Sequence, residues 1–347
     1  MPRHKILISG ACGVTSRAVI TSLKASDKFN DSEFYGIDTC EIKYGLYENK
    51  FKKIYKVPHC NDDGYKTKVL SLIEELKIDI FIVVPELEVL FWSKNNPEIA
   101  FLPQYEFCEK VSCKLSLYNF FEGTSLIPKF TTNEQQIETT LEYPLWMRDY
   151  STGGTSAKGA LLVNNKNEIE AWKILNPGVD NFIYSEFLPG KNIAVSMIFN
   201  EGKLLNFGIY ERLKYIMAKV APSNITGNIS EGKLVDDTEA LETALSSVRQ
   251  LESSLKIKLK GMITVDLKGA EDGSYKITEI NLRQVAASVS FSKIKNNNLS
   301  ENLANATIGN FNEINLKTTK YPPRNLILRD VDGEQIFVEN YNEPESI

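Results

Sequence analysis

Gly261-Met-Ile-Thr-Val-Asp266-Leu-Lys268, then Glu271-Asp-Gly273-Ser, then Tyr275-Lys-Ile-Thr-Glu279-Ile-Asn281-Leu-Arg283: this stretch decides the fold. Both arms alternate apolar and polar residues at period two, and Asp-Gly lies between them, which predicts a β-hairpin. In the first arm Ile263, Val265 and Leu267 share one face, and Thr264, Asp266 and Lys268 the other. In the second arm Glu279, Asn281 and Arg283 project to one side and are expected to continue the face of Ile277. By periodicity alone a solvated strand face is the commoner fate of such a triplet. The alternative is convergence with Asp266, which would bring hard oxygen donors suited to Mg²⁺ beside a guanidinium suited to phosphate.

The rest of the chain sets bounds on that choice. With 347 residues, 42% of them hydrophobic and 24% charged, it can build two or three units with real cores. A net charge of −5 argues against a nucleic-acid footprint. No apolar run approaches the ~20 residues of a membrane span, and the start is too short in its apolar part for a signal peptide. The five cysteines (Cys12, Cys40, Cys60, Cys108, Cys113) fall in the first third without Cys-x-x-Cys spacing. They read as reduced thiols of a cytoplasmic protein rather than disulfides or a zinc site.

In chain order, Lys5–Ser9 is a strand, Gly10-Ala-Cys-Gly13-Val-Thr15 a turn, Arg17–Lys24 a helix and Glu33–Ile37 a strand ending at Asp38. That is the opening of a doubly wound α/β domain. Its Gly-x-x-Gly spacing is not the dinucleotide fingerprint Gly-x-Gly-x-x-Gly, so the glycines are read first as a tight turn. Phe51–Val57 reads as a strand, Gly64–Glu75 as a helix and the continuous apolar run Ile78–Pro85 as a central parallel strand. Glu86 and the Gly10–Thr15 turn then sit at strand carboxyl ends, where ligands collect. Lys110–Phe121 reads as one helix and Tyr143–Asp149 as a strand entering the small-residue run Tyr150–Ala160, fit to approach an anion. Asn165–Leu175 and Asp236–Leu255 read as helices, the second with Leu241, Leu245, Val248, Leu251 and Leu255 on one face. Phe182–Ile198 reads as two strands paired around Pro189-Gly190, and Lys203–Ile209 as another. Gln284–Ser292 is expected as a loop or short helix and Lys293–Asn305 as a polar, Asn-rich stretch. Tyr321–Arg329 and Glu334–Glu339 read as two closing strands before a frayed tail, Tyr341–Ile347.

Taken together, Asp266 followed by Glu279-Ile-Asn281-Leu-Arg283, at the end of this order of elements, resembles the ATP-grasp enzymes. Among them the chain is most similar in pattern to the carboxylate–amine ligases related to the large subunit of carbamoyl-phosphate synthase. The resemblance implies an α/β and α+β chain: a Rossmann-like pre-ATP-grasp domain (1–110), then an ATP-grasp lid subdomain (111–185) and a catalytic subdomain (186–347). It implies ATP and two Mg²⁺ as cofactors, the metals held by Asp266, Glu279 and Asn281. Arg283 and Arg212 take catalytic roles at the transferred phosphoryl group. Lys114, Arg148, Gly153, Gly154, Thr155, Ser156 and Lys158 fall to the phosphates and the lid. Glu186, Leu188 and Asn192 fall to the adenine and ribose. The chain departs from the pattern at Cys113 (usually Asp), Arg148-Asp149 (usually Lys-Pro), Asn192 (usually Glu) and Leu282 (usually Pro). Asn192 forgoes a charge-assisted bond, which implies weaker nucleotide affinity. The activity implied is ATP-dependent activation of a carboxylate as an acyl phosphate, attacked by an amine, with ADP and phosphate released. The partners are then small molecules rather than nucleic acid or membrane. A homodimer is admitted, with no sequence signal that selects it. The competing readings are a non-catalytic nucleotide-binding descendant and a Rossmann dehydrogenase or epimerase.

Overall fold

The computed structural model describes residues 4–39, 42–95, 97–151, 158–316, 320–330 and 346. It opens with a parallel sheet of order β3-β2-β1-β4, built from β1 (Lys5–Ser9), β2 (Glu33–Asp38), β3 (Lys53–Lys56) and β4 (Ile80–Ile82). Helices α1 (Val14–Lys24), α2 (Tyr65–Leu76) and α3 (Glu86–Asn95) accompany these strands. The regular part of the expected Ile78–Pro85 strand is three residues long, because Pro85 cannot donate to a ladder and α3 starts directly after it. Gly10 has φ +60°, and a Cβ there would meet Pro85 Cγ at 2.8 Å. Its role is a tight turn packed under Pro85, as the spacing suggested.

The stretch expected as one helix from Lys110 to Phe121 is two. α4 (Tyr105–Val111) ends at Ser112, and Cys113 turns extended (φ −111°, ψ 126°) to start α5 (Lys114–Phe121). The break puts Lys114 in a first helical turn. A four-stranded antiparallel sheet of order β5-β8-β6-β7 follows, made of β5 (Phe130–Thr131), β6 (Leu145–Asp149), β7 (Leu161–Val163) and β8 (Phe182–Glu186). α6 (Ile137–Thr140) and α7 (Lys166–Leu175) accompany it. Asn165 caps α7 by accepting from the Glu168 N–H at 3.1 Å.

The largest sheet has six strands in the order β13-β12-β9-β10-β11-β14. They are β9 (Asn192–Asn200), β10 (Lys203–Tyr215), β11 (Ile229–Leu234), β12 (Gly261–Gly269), β13 (Tyr275–Asn281) and β14 (Ile327–Leu328). The strands on either side of Pro189-Gly190 do not pair with each other: β8 belongs to the previous sheet and β9 to this one. The turn residues instead tie the link to β12. The Gly190 N–H donates to the Gly269 carbonyl at 2.8 Å, and the Gly269 N–H to the Lys191 carbonyl at 2.8 Å. A Cβ on Gly190 would lie 2.7 Å from the Gly269 carbonyl oxygen, so glycine is required there.

α8 (Thr238–Leu255) packs Ala240, Ala244, Leu245, Val248 and Leu251 inward, each larger side chain stabilising by about 1.5–3 kcal/mol. Asp237 caps it, accepting from the Ala240 N–H at 3.0 Å. The Asn-rich stretch becomes a buried helix, α9 (Leu299–Thr307), capped by Asn298. Part of its polarity is met by specific bonds, as Ser300 Oγ donates to Gln284 Oε1 and Asn298 Nδ2 to the Ser22 carbonyl, while Asn302 Nδ2 and Asn305 Nδ2 are buried without a partner among the described residues. The stretch expected as a loop or short helix over Gln284–Ser292 forms the 3₁₀ helix Ala286–Lys293. Of the expected closing strands, the first survives as β14 on the edge of β11 and the second lies outside the described residues. Of the tail only Ser346 is described, bridged to Tyr55.

Candidate active site

The hairpin forms, with one correction that makes the site. Asp266 pairs with Glu279 and Thr264 with Asn281, while Leu267 pairs with Ile277. Thr278 is therefore an extra residue opposite no partner, a β-bulge. Without it, the expected single face for Ile277 and Glu279 would either bury the carboxylate in the core or push Ile277 out. With it, Ile277 stays fully buried beside Leu267, and Glu279 and Asn281 join Asp266 and Thr264 on the other face. The bulge is held from both sides. Thr278 Oγ1 donates to the Asp266 carbonyl at 3.2 Å, and Arg148 Nη2 donates to the Thr278 carbonyl at 2.7 Å.

That face floors a cavity of about 700 Å³ between the three sheets. Among the described residues, the cavity brings together all the candidates: Lys114, Arg148, Lys158, Glu186, Leu188, Asn192, Arg212, Asp266, Glu279, Asn281 and Arg283. Gly153, Gly154, Thr155 and Ser156 lie outside the described residues. Glu86, Val14 and Thr15 also line it, so the strand carboxyl ends of the first sheet do reach the same space.

Sheet register explains the convergence. Lys268, Asn192 and Arg212 form one row across β12, β9 and β10, and Asp266 sits one step along on the same face. Arg212 ties the rows together: Nη2 reaches Asp266 Oδ1 at 2.7 Å and Nη1 reaches Asn192 Oδ1 at 3.0 Å. Asn192 Nδ2 donates in turn to Tyr215 Oη at 2.6 Å. Asn281 Nδ2 donates to Asp266 Oδ2 at 3.3 Å. Lys114 Nζ stands 3.5 Å from Glu279 Oε1, the contact that the helix break makes. Arg148 Nη2 also donates to Tyr118 Oη at 2.6 Å. Asp149 is buried, accepting through Oδ1 from the Ser151 N–H and Oγ, with Lys158 Nζ 3.6 Å from Oδ2.

The two cross-strand carboxylates respond differently to burial. Burial raises Asp266 above the ordinary carboxylate range, against the pull of Arg212. Burial also acts to raise Glu279, but Lys114, Arg148 and Arg283 outweigh it and hold that carboxyl below its usual value. Burial raises Glu86, whose Oε1 accepts from the Leu282 N–H at 3.3 Å. Lys268 is lowered by burial.

Two carboxylates and an amide oxygen are hard donors that fit Mg²⁺ in type. Each carboxylate oxygen accepts more than one partner, so the bonds from Arg212, Asn281 and Lys114 leave acceptor capacity. Among the described residues no cluster of three or more His, Cys, Asp or Glu side chains is placed to hold a metal. The set thus fits a cation that is shared with another ligand's oxygens rather than caged by protein alone. Sequence reasoning passed over Tyr118, Tyr215, Lys268, Thr278 and Arg329 as site residues. Lys268 was legible as a face-mate of Asp266. Thr278 lies on the predicted hairpin, where the alternation hides its place opposite no partner, and Tyr118, Tyr215 and Arg329 carry no site signal of their own.

The profile of the ATP-grasp domain matches residues 111–287, just over half of the chain. No curated protein sequence matches it. Among the solved structures similar in fold are the following three. N5-carboxyaminoimidazole synthetase from Staphylococcus aureus, complexed with ADP, is 15% identical with TM-score 0.65 over 94% of this chain and 81% of that one. L-amino acid ligase from Bacillus licheniformis is 16% identical, TM-score 0.61, over 88% and 75%. A putative ATP-grasp superfamily protein from Archaeoglobus fulgidus is 16% identical, TM-score 0.58, over 95% and 100%. The matched span runs from the end of α4 through the sheet β5-β8-β6-β7 and both strands of the hairpin, and it includes each hairpin residue of the cavity floor. The chain is a member of the ATP-grasp family.

Proposed function

We propose that the chain is an ATP-dependent ligase that activates a carboxylate as an acyl phosphate and passes the acyl group to an amine, releasing ADP and phosphate. The observation that carries this reading is the convergence of Asp266, Glu279, Asn281, Arg283, Arg212 and Lys114 on one cavity. Phosphoryl transfer asks little covalent chemistry of a protein and much charge neutralisation in a fixed place. Mg²⁺, when bound by Asp266, Glu279 and Asn281, supplies charge neutralisation on the triphosphate, and two ions are expected.

Arg283 and Arg212 stabilise charge on the transferring group. Lys114, Arg148 and Lys158 bind phosphate oxygens. The wall of Trp146, Leu162 and Leu188 takes the adenine, with Glu186 and Leu188 offering backbone groups to its edge. Asn192 holds the ribose by neutral hydrogen bonds. The units proposed are 1–110, 111–185 and 186–347, with small-molecule carboxylate and amine substrates. A coupled ADP assay over carboxylate–amine pairs tests the reading. Amine-dependent ADP formation is the expected result. Tight ATP binding with no turnover across the panel would favour a nucleotide-binding protein without catalysis.

Related structures support the reading in kind. The Staphylococcus aureus enzyme is a synthetase complexed with ADP, and the Bacillus licheniformis protein is an L-amino acid ligase. Among the described residues no helix is long and apolar enough to cross a membrane.

A further inference from the structure

The cavity has an end that the phosphoryl machinery does not use. It is lined by Val14 and Thr15 at the start of α1, by Asn228 and Ile229 at the start of β11, and by Arg329 just after β14. Arg329 is fixed there by its backbone, whose N–H donates to the Ser230 carbonyl at 2.9 Å. Its side chain is half-buried, and Nη1 donates to Asn228 Oδ1 at 3.3 Å. A second guanidinium, Arg17, lies three residues on from Val14 and so on the same side of α1 as this wall. Burial lowers the Arg329 guanidinium from its ordinary value, and the like charge of Arg17 lowers it further. Among the described residues neither arginine has a carboxylate within ion-pair distance, in contrast to Arg212, which is paired with Asp266.

Like charges on one side of a partly desolvated cavity wall repel each other, and no carboxylate among the described residues offsets them. The planar fork of arginine matches a carboxylate or phosphate, and an anion between the two relieves the repulsion. We propose that this end of the cavity is an anion subsite, in which Arg329, seated by Asn228 and reinforced by Arg17, binds a carboxylate or phosphate group carried by a substrate other than ATP. The proposal rests on the ligase reading for the word substrate. The subsite itself stands on the two arginines and the cavity wall. A substrate so held is itself anionic, reaching from Arg329 towards Arg283 along a single cavity.

The test is a calorimetric titration of the full chain, saturated with a non-hydrolysable ATP analogue and Mg²⁺ so that the triphosphate positions are filled. Inorganic phosphate and acetate are the two probes, and the tighter one identifies the class of group. Saturable binding of at least one is expected. The dissociation constant should rise at least about tenfold in Arg329→Met and by a smaller factor in Arg17→Met, with Arg329→Lys between wild type and Arg329→Met because it keeps charge and loses the fork. Thermal melts confirm that each variant is folded, and Asn228→Ala supplies a second route if Arg329→Met is not. Equal affinity in wild type and the arginine variants, or no saturable binding of either anion, overturns the subsite. If the ATP analogue itself does not bind, the ligase reading fails separately, and the same titrations without nucleotide still compare wild type with the variants.

Discussion

The two ends of the cavity are charged on opposite plans. On the hairpin side each carboxylate faces a cation: Asp266 has Arg212 at 2.7 Å and Glu279 has Lys114 at 3.5 Å. On the α1–β14 side two arginines share a neighbourhood with no acid partner among the described residues. A balanced wall exchanges partners when a ligand arrives, because each ion released needs a replacement. An unbalanced wall captures a counter-charge outright. The first plan suits a metal–triphosphate complex, which carries both signs. The second suits a simple anion.

The harshest way to break this comparison is to unbalance the hairpin side. Asp266→Ala should lower ADP formation by about 10³-fold or more, since it removes a proposed metal ligand and leaves Arg212 without its counter-ion. The fold should survive, because the change lies on the cavity face; circular dichroism and the melting temperature check that. Full activity in this variant would remove the metal-site assignment. Asn281→Ala should cost less, about 10–100-fold, because it removes a neutral donor and keeps both carboxylates. Steady-state kinetics at varied Mg²⁺ should show the loss partly recovered at high metal.

The hairpin, its polar triplet and the order of elements around it were legible because period two and a turn dipeptide are local signals. The bulge at Thr278 was not. It inserts one residue into an alternation that looks unbroken, and what selects it is non-local: Arg148 on β6 and the buried sides of Leu267 and Ile277. The split between α4 and α5 was likewise hidden, since nothing in Ser112-Cys113 breaks a helix by itself. α9 was missed because its asparagines read as solvated, whereas Asn302 and Asn305 are buried. Pro189-Gly190 gave a correct turn and a wrong pairing, because a turn signal does not say which sheet its strands join. Arg329 had no local signal at all, since its meaning depends on Arg17, which is distant in sequence.

Smaller effects test the frame behind the cavity. Glu88 is buried on α3, accepting from Tyr65 Oη at 2.6 Å, and Trp92 Nε1 donates to the same hydroxyl. Burial raises its carboxyl to about 7 from 4.5, opposed by the Tyr65 and Ser9 hydrogen bonds. The folded chain therefore keeps a proton that the unfolded chain releases. The stability this gives is complete below pH about 4.5 and is lost as pH rises through about 7, a loss on the order of 3 kcal/mol. Thermal unfolding of Glu88→Gln should show a smaller difference between pH 5 and pH 8 than wild type; an unchanged difference would place the pH dependence elsewhere. Gly190→Ala puts a methyl against the Gly269 carbonyl and should destabilise by about 1–3 kcal/mol in a denaturant titration. Wild-type stability in that variant would mean the seam between β8 and β12 yields more easily than its paired hydrogen bonds suggest.

The central claim is that Asp266, Glu279 and Asn281 gather a divalent cation on a triphosphate. Calorimetric binding of a non-hydrolysable ATP analogue, with and without Mg²⁺, in wild type and in Asp266→Ala, measures it most directly. Mg²⁺ is expected to tighten binding to the wild type, and Asp266→Ala to lose most of this tightening while remaining folded. An equal Mg²⁺ effect in both proteins would contradict it.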